Sequence, residues 1–597
     1  MIELKIVPKI MLSGALLLSG VTYADWVKVN SAYPNRGTLK IEKSFASGAN
    51  AMSLQFSAGA FEAENLGSVS RLNMEGAYRL KERGRPELPV YRYEIEVPSS
   101  KVVLKVRAKN TELFQAQNVA LKNALELSTG PVVKQPGALE VAQASMDLSF
   151  HSHNEFYPKH VAEIVSRGSV SGREMITVEF RPLQYNPVTR EIRFNDRVDM
   201  EIVSIGSSAV PLKQTESAKS SLDKALFQSL SYSSLGNPGD SMIVIVADRF
   251  MDHVKLQQYL GMKASSGLRI EKVAVSQAGQ TDVALREYLR TKYLSSPFTF
   301  VMFVGDVELV PTHDAGAEFT DNYFAALDKP TYAEDKTYPD VSVGRLAVKD
   351  ANELDTVMNK HLKYQGARFP NTDWIKKIAF LATDDRYTVA EGTHNYVINS
   401  YTSPQSYSGN FPTETEVGGD KLYAITHRAR QNHVQRSMNE GRAIISYSGH
   451  GATTYWDAPR VTREDVYALP PTDAFPYVMS HACISGSYGM NGDSFGEMWL
   501  KAPNGGIGFW GTSNNSYWDE DDILEKVFFD GMFRDQIASV GQLNQFALAG
   551  VRQAFGSSTM VPYYYSIYNL LGDPSIEIFK SRPAQNENSV FAQILDF

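Results

Sequence analysis

Hydrophobic and polar residues follow two rhythms along this chain. Between residues 25 and 205 they alternate with a period of two, as in Thr38-Leu39-Lys40-Ile41-Glu42, Met52-Ser53-Leu54-Gln55-Phe56 and Val102-Val103-Leu104-Lys105-Val106. Met175 to Phe180 and Val198 to Val203 repeat the pattern. Alternation bounded by turn residues predicts antiparallel strands with one wet face, and many of them predict a β-sandwich-like domain. From Met242 the apolar residues instead come in short unbroken runs: Met242 to Val246, Phe298 to Val304, Ile378 to Ala382, Ala443 to Tyr447 and Phe475 to Met479. Runs of this kind, spaced by amphipathic stretches, predict buried parallel strands with helices on both faces.

Helices are expected near residues 250–265, 281–294, 354–365, 421–438, 494–500, 523–533 and 541–555, with Gly441 closing the fourth and a last strand at Ile576 to Phe579. Pro370 and Asn371 mark a joint, so residues 240–370 and 371–580 read as two α/β subdomains, followed by a tail at 581–597. Residues 206–239 are small and polar and form a linker, in which Lys213, Lys219 and Lys224 make an activation cut as natural a reading as a plain hinge.

Residues 1–24 read as a secretory signal, with Lys5 and Lys9 before an apolar core at Ile10 to Val21 and small residues ending at Ala24. That core is short of the ~20 residues a membrane span needs. The expectation is an exported protein, extracellular or periplasmic. A net charge of −8 argues against a nucleic-acid partner. His151 and His153 flank Ser152, but two ligands fall short of a zinc site, so a solvated strand end is expected there.

Two of the apolar runs end at reactive side chains. Arg442 to Gly451 carries His450 past its end, and Phe475 to Cys483 carries the single cysteine of the 597 residues. In open α/β sheets chemistry sits beyond the carboxyl ends of the strands, so adjacent strands would bring an imidazole to a thiol. A lone buried cysteine is usually inert and a lone histidine usually unremarkable, but the pair at two strand ends points to nucleophilic catalysis. Gly451 lacks a Cβ, so its N–H can share an oxyanion hole with that of Cys483. Asp384 and Asp385, at the tip of another run, are both candidates to orient His450. His481, two residues before Cys483, is a second candidate base.

The blocks Tyr447-Ser448-Gly449-His450-Gly451 and Ala482-Cys483 resemble the His-Gly and Ala-Cys blocks of caspase-like cysteine peptidases. Phe495-Gly496-Glu497, Gly511 to Trp518 and Gly572-Asp573-Pro574-Ser575 are similar to segments of the gingipains, peptidase family C25, over about residues 240–580, with a propeptide-like N-terminal region. The resemblance implies a caspase-like catalytic domain of two parallel-sheet subdomains. It makes His450 and Cys483 the catalytic pair, with Asp385 at the place of the third residue and Asp384 one position away. It implies cleavage after Lys or Arg, with Asp521 at the acidic position of the lysine-specific type and Ser448 lining the same pocket. Trp518 would cover the lysine stem, although acidic residues after Trp518 also suit a helix N-terminus. Calcium, as a structural ion, is implied by the resemblance alone; the chemistry itself needs no cofactor.

The expectation is therefore a secreted thiol endopeptidase made as a zymogen, acting on proteins or peptides and inhibited by its own N-terminal domain. The rival is a non-catalytic extracellular binding or secretion-associated protein on a peptidase-like scaffold.

Overall fold

The computed structural model describes residues 3–6, 25–43, 51–66, 69–98, 101–117, 124–134, 146–205, 240–367 and 369–581. Two compact units divide the chain: Met1–Val132 with Leu139–Pro211 and Arg552–Val561, and Val133–Ala138 with Leu212–Val551 and Pro562–Phe597.

The first unit is built of antiparallel strands. Val102–Gln117 and Glu191–Ser204 form the spine of a six-stranded sheet that also takes in Ala51–Ser57 and Thr38–Lys43, beside two four-stranded sheets. Phe56, Phe61, Ile176, Val178, Leu183, Phe194 and Ile202 fill its core, the inward set that period-two alternation selects. His151 lies in a short helix, Leu148–Ser152, capped by the Asp147 side chain, and His153 follows at its C-terminal end, so this is a helix and not a strand end. Of the leader-like residues only Glu3–Ile6 are described, as a strand paired with Val102–Gln117; the apolar core, the cleavage site and the 206–239 linker lie outside the described residues.

The second unit is organised by one ten-stranded sheet. In chain order its strands are β1 (Ser241–Val246), β2 (Arg269–Ala274), β3 (Phe300–Val304), β4 (Ser342–Leu346), β5 (Ile378–Ala382), β6 (Asp420–Tyr423), β7 (Ile444–Ser448), β8 (Tyr477–His481), β9 (Gly508–Thr512) and β10 (Tyr568–Gly572). Their order is β2-β1-β3-β4-β10-β9-β8-β7-β5-β6. The two halves expected around residue 370 thus join in a single sheet where β4 meets β10 through Arg345 and Leu571. In each half the first strand lies between the second and the third. Such an order splits the connections to either side and opens a crevice at the carboxyl ends of strands one and three. In the second half those strands are β5 and β7.

Helices used below are α1 (Ala351–Gln365), α2 (Tyr387–Val397), α3 (Gln431–Glu440), α4 (Phe495–Lys501) and α5 (Trp518–Phe533). Ser494 caps α4 and Glu497 reaches back to it, the reciprocal box that starts a helix. Three expectations change. Lys421 to Tyr423 belong to edge strand β6, and the helix begins only at Gln431. Helix α5 starts at Trp518, not Ile523. The closing strand is β10 at 568–572, and Glu577 makes only an isolated bridge to Ser539. No helix among the described residues is long and apolar enough to cross a membrane.

Candidate active site

Parallel pairing sets the geometry. On β7 and β8, Ser448 lies opposite His481, so His450 and Cys483, each two residues further, leave adjacent strands at the same end. Gly451 packs against the cysteine backbone: a Cβ there would come within 2.8 Å of the Ala482 Cβ and 3.0 Å of the Cys483 carbonyl. Only glycine fits without displacing that strand end. Two tips turn through left-handed residues, Arg386 after Asp385 (φ 42°) and Ile484 after Cys483 (φ 46°). For a β-branched residue such as Ile484 that conformation costs on the order of 1–3 kcal/mol, and strain of this kind persists where surrounding structure fixes it. Its N–H is tied to the Asn514 carbonyl at 3.0 Å.

The two aspartates after β5 separate cleanly. Asp385 Oδ2 lies 2.8 Å from His450 Nε2, whereas Asp384 accepts from the Thr383 hydroxyl at 3.3 Å. A hydrogen-bonded carboxylate fixes the imidazole proton on Nε2 and leaves Nδ1 as the basic nitrogen. His450 Nδ1 is buried and has no hydrogen-bond partner among the described residues. The edge of the His450 ring meets Trp518 at a centroid distance of 5.7 Å. Cys483 is fully buried. Its sulfur accepts from the Ser516 N–H at 3.2 Å, and burial pushes the thiol up to about 11. The thiol is therefore protonated and quiet in this state.

The sulfur is covered by peptide belonging to the chain itself. Val133 bridges Tyr517 in antiparallel fashion and the Lys134 N–H donates to the Ser516 carbonyl at 2.9 Å. This is the pairing by which an extended peptide adds to an edge. The Lys134 side chain is fully buried. Its Nζ meets Asp521 Oδ2 at 2.9 Å, Ser448 Oγ at 3.2 Å and the His481 carbonyl at 3.0 Å, and it lies 4.5 Å from the centre of the Trp518 ring. An ammonium has three protons, and here three oxygens surround it. Asp521 is itself braced: its other oxygen accepts from Tyr568 at 2.6 Å and Tyr564 at 3.0 Å. Buried charge is tolerated when it is paired with an opposite charge and braced by donors in this way. Asp521 also lies in the first turn of α5, so it occupies the helix N-terminus as well as the pocket.

Sequence reasoning singled out Asp521, Trp518 and Ser448, and the structure gathers all three around one ammonium. It missed Lys134. That residue lies more than 300 positions from Ser448 in the chain (|i−j|=314), and its only local mark is an extended Val132-Val133-Lys134 between Pro131 and Pro136. His481, considered as a base, has its ring on Tyr568 and Glu525, and burial pushes its pKa down to about 4.

Among the described residues one acidic group could hold a metal: Asp328, Asp335 and Asp340, whose carboxylate oxygens lie within 4.8 Å of one another. Asp335 and Asp340 are buried, and Asp340 already accepts from the Leu327 and Asp328 N–H groups at 2.6 and 2.9 Å. An all-oxygen donor set suits a hard cation such as calcium.

A family model described as peptidase family C25 matches residues 236–579, and the model of the C25 propeptide matches residues 52–231. A Lys-gingipain of Porphyromonas gingivalis is 22% identical over 98% of this chain and 35% of its own length. Gingipain R1 of Porphyromonas gingivalis is 20% identical, covering 86% of this chain and 52% of that protein. The chain thus spans about a third of the length of the Lys-gingipain it matches. A crystal structure of the Arg-specific cysteine proteinase gingipain R covers 59% of this chain and 82% of its own, with a TM-score of 0.50 at 17% identity, a likeness of fold.

Proposed function

This chain belongs to peptidase family C25, and from that premise we propose that it is an exported cysteine endopeptidase, made as a latent precursor, that cleaves on the carboxyl side of lysine. Cys483 is the nucleophile in this reading. Its proton passes to His450 Nδ1 as sulfur bonds to the substrate carbonyl carbon, and Asp385 steadies the imidazolium through Nε2. The N–H groups of Gly451 and Cys483 receive the developing oxyanion. His450 then protonates the departing amine as the C–N bond breaks, and water, deprotonated by the same imidazole, releases the thioester.

The observation that carries the lysine reading is the seat of Lys134. Three oxygens converge on a point behind the Trp518 face. A compact ammonium satisfies that arrangement, while a planar guanidinium wants a broad fork. Lys134 is then an internal occupant of the pocket that substrate lysine would enter. With that segment seated Cys483 stays buried, and burial pushes its thiol up to about 11 although the Lys134 ammonium and N–H pull it down. Release after a cut in the 206–239 linker would expose the sulfur and lower its pKa. The acidic group Asp328, Asp335 and Asp340 would hold calcium away from these steps, as a structural ion.

A cleavage-site profile on denatured protein tests the specificity. Activated enzyme is expected to cut mainly after lysine, and a majority of cuts after arginine would overturn that part. The latency is tested by Lys134→Ala in the precursor, expected to hydrolyse a lysyl reporter roughly tenfold faster than the unaltered precursor, the effect of losing little more than one well-placed interaction. Unchanged latency would remove Lys134 from the reading.

A further inference from the structure

The proposed mechanism leaves one fully buried polar chain unused, and it begins at the floor of the lysine pocket. Tyr568 places its hydroxyl 2.6 Å from Asp521 Oδ1 and 3.3 Å from His481 Nδ1. Beyond His481 stands Glu525, whose Oε2 is 3.7 Å from His481 Nε2 and whose Oε1 is 2.8 Å from His394 Nδ1. His394 ends the chain on the Leu381 carbonyl of β5 at 2.9 Å. Tyr568, His481, Glu525 and His394 are all buried.

Proton accounting decides what each group does. A tyrosine has one proton, and the short contact to the Asp521 carboxylate claims it. His481 must therefore donate through Nδ1–H to the Tyr568 oxygen, since two lone pairs cannot face each other there. The 3.7 Å to Glu525 is too long to demand a proton on Nε2. At the far end both ring nitrogens of His394 face oxygens, the Glu525 carboxylate and the Leu381 carbonyl. The Trp510 ring packs on the Tyr568 ring at 5.0 Å and on the His481 ring at 6.1 Å, fixing both orientations.

We infer that His481 is a positioning residue for lysine recognition: by donating to the Tyr568 hydroxyl it commits that hydroxyl's proton to Asp521 and holds the carboxylate where the substrate ammonium arrives. Without it the Tyr568 hydroxyl can turn to another acceptor and Asp521 keeps one brace, Tyr564, where it had two. Trp510 packs on the imidazole and keeps it from turning, and the Glu525 carboxylate faces its far nitrogen at 3.7 Å. The inference rests on the reading of Asp521 as the lysine partner, and it extends that reading to an imidazole that touches neither substrate nor thiol, although the backbone carbonyl of the same residue faces the ammonium.

The test is a mutant cycle on the activated full chain with lysyl and arginyl reporters. His481→Leu and Tyr568→Phe are each expected to raise KM for the lysyl reporter about tenfold with kcat within about twofold, the pattern of lost substrate binding. His481→Asn, which keeps a donor near the Nδ1 position, is expected to restore KM to within about threefold. The double variant His481→Leu/Tyr568→Phe is expected to be no worse than about twofold beyond Tyr568→Phe, because the two act through one hydrogen bond. Losses that multiply, or a fall in kcat with unchanged KM, would overturn the inference and mark His481 as structural support for the nucleophile. Should His481→Leu not fold, Glu525→Gln keeps the shape; a KM rise of about threefold that vanishes in the Tyr568→Phe background supports the relay, and a rise that persists there overturns it. The lysine reading has a separate readout: if the unaltered enzyme prefers the arginyl reporter that reading fails, while the cycle still reports whether His481 and Tyr568 are coupled.

Discussion

The two halves of the ten-stranded sheet are built alike and furnished differently. In each, the first strand lies between the second and third. At the tips the backbones match as well: Gly305 N–H reaches the Leu346 carbonyl at 2.9 Å in the first half, and Gly449 N–H reaches the His481 carbonyl at 3.3 Å in the second. The residue after each glycine is Asp306 or His450, and two residues beyond each carbonyl lies Val348 or Cys483. Even the first strands end alike, in Ala247-Asp248-Arg249 and Asp384-Asp385-Arg386. The first half therefore has a carboxylate and a valine where the second has an imidazole and a thiol. Asp306 is spent on ion pairs, with Lys349 at 3.5 Å and Lys501 at 3.9 Å. The lesson is that topology supplies an edge where side chains can meet, and residue identity decides whether that edge carries charge pairing or chemistry.

The largest effect expected from this contrast is at the paired positions themselves. Cys483→Ala should abolish hydrolysis and self-processing, a loss of about 10⁴-fold or more as for other nucleophile deletions. Asp306→Asn in the first half should lower Tm by a few degrees through weakened partly buried pairing and leave kcat/KM within about twofold. Peptide hydrolysis by purified Cys483→Ala, or its loss in Asp306→Asn, would erase the distinction between the halves.

Next in size is the contrast within one tip. Asp385→Asn should lower kcat by about 10²–10⁴-fold, because an amide no longer fixes the His450 tautomer. Asp384→Asn should change kcat less than about threefold, since among the described residues that carboxylate's hydrogen bond is to Thr383 and not to His450. Equal effects of the two substitutions would mean that the 2.8 Å contact of His450 with Asp385 is not the one used in turnover.

That pair also shows what a sequence reveals and what it hides. His450 and Cys483 are legible in the chain because an unbroken apolar run marks a buried strand, and a reactive residue just past its end marks the sheet edge where chemistry sits. The choice between Asp384 and Asp385 is not legible, as neighbours at a tip point different ways by turn geometry alone, and Arg386 in a left-handed conformation has no sequence mark. Edge strand β6 reads as the start of a helix because four residues carry too little periodicity to oppose the helical pattern that follows at Gln431. The 576–579 run reads as the closing strand, although Tyr568-Asn569-Leu570-Leu571-Gly572 holds the sheet position, because short apolar runs near a chain end are interchangeable until packing chooses. Lys134 is invisible for a different reason: its meaning comes from a pocket assembled by residues 448, 481, 518 and 521, and no local pattern encodes so distant a meeting.

The smallest expected effect uses a histidine in each half. His361 on α1 and His481 on β8 are both fully buried, and burial pushes each from 6.5 down to about 4. His361 has Nδ1 on its own helix, at 2.9 Å from the Val357 carbonyl, and the edge of its ring meets Tyr259 at 5.4 Å. Since the folded state resists protonation and the unfolded state does not, the unfolded chain takes up a proton first as pH falls. Stability contributed by each neutral ring is therefore full above about pH 6.5 and is lost toward pH 4, on the order of 2–3 kcal/mol per group. His361→Leu should flatten the fall of Tm between pH 6.5 and 4.5 by about one proton's worth while leaving kcat, KM and the lysine-to-arginine ratio unchanged. His481→Asn should flatten it similarly, yet any further loosening of Tyr568 must appear in KM for lysine. Two rings with the same titration would then differ only in what they touch, a helix carbonyl in one half and, in the other, Tyr568 at the floor of the proposed lysine pocket. An acid profile untouched by His361→Leu would show that its ring is not held neutral by burial.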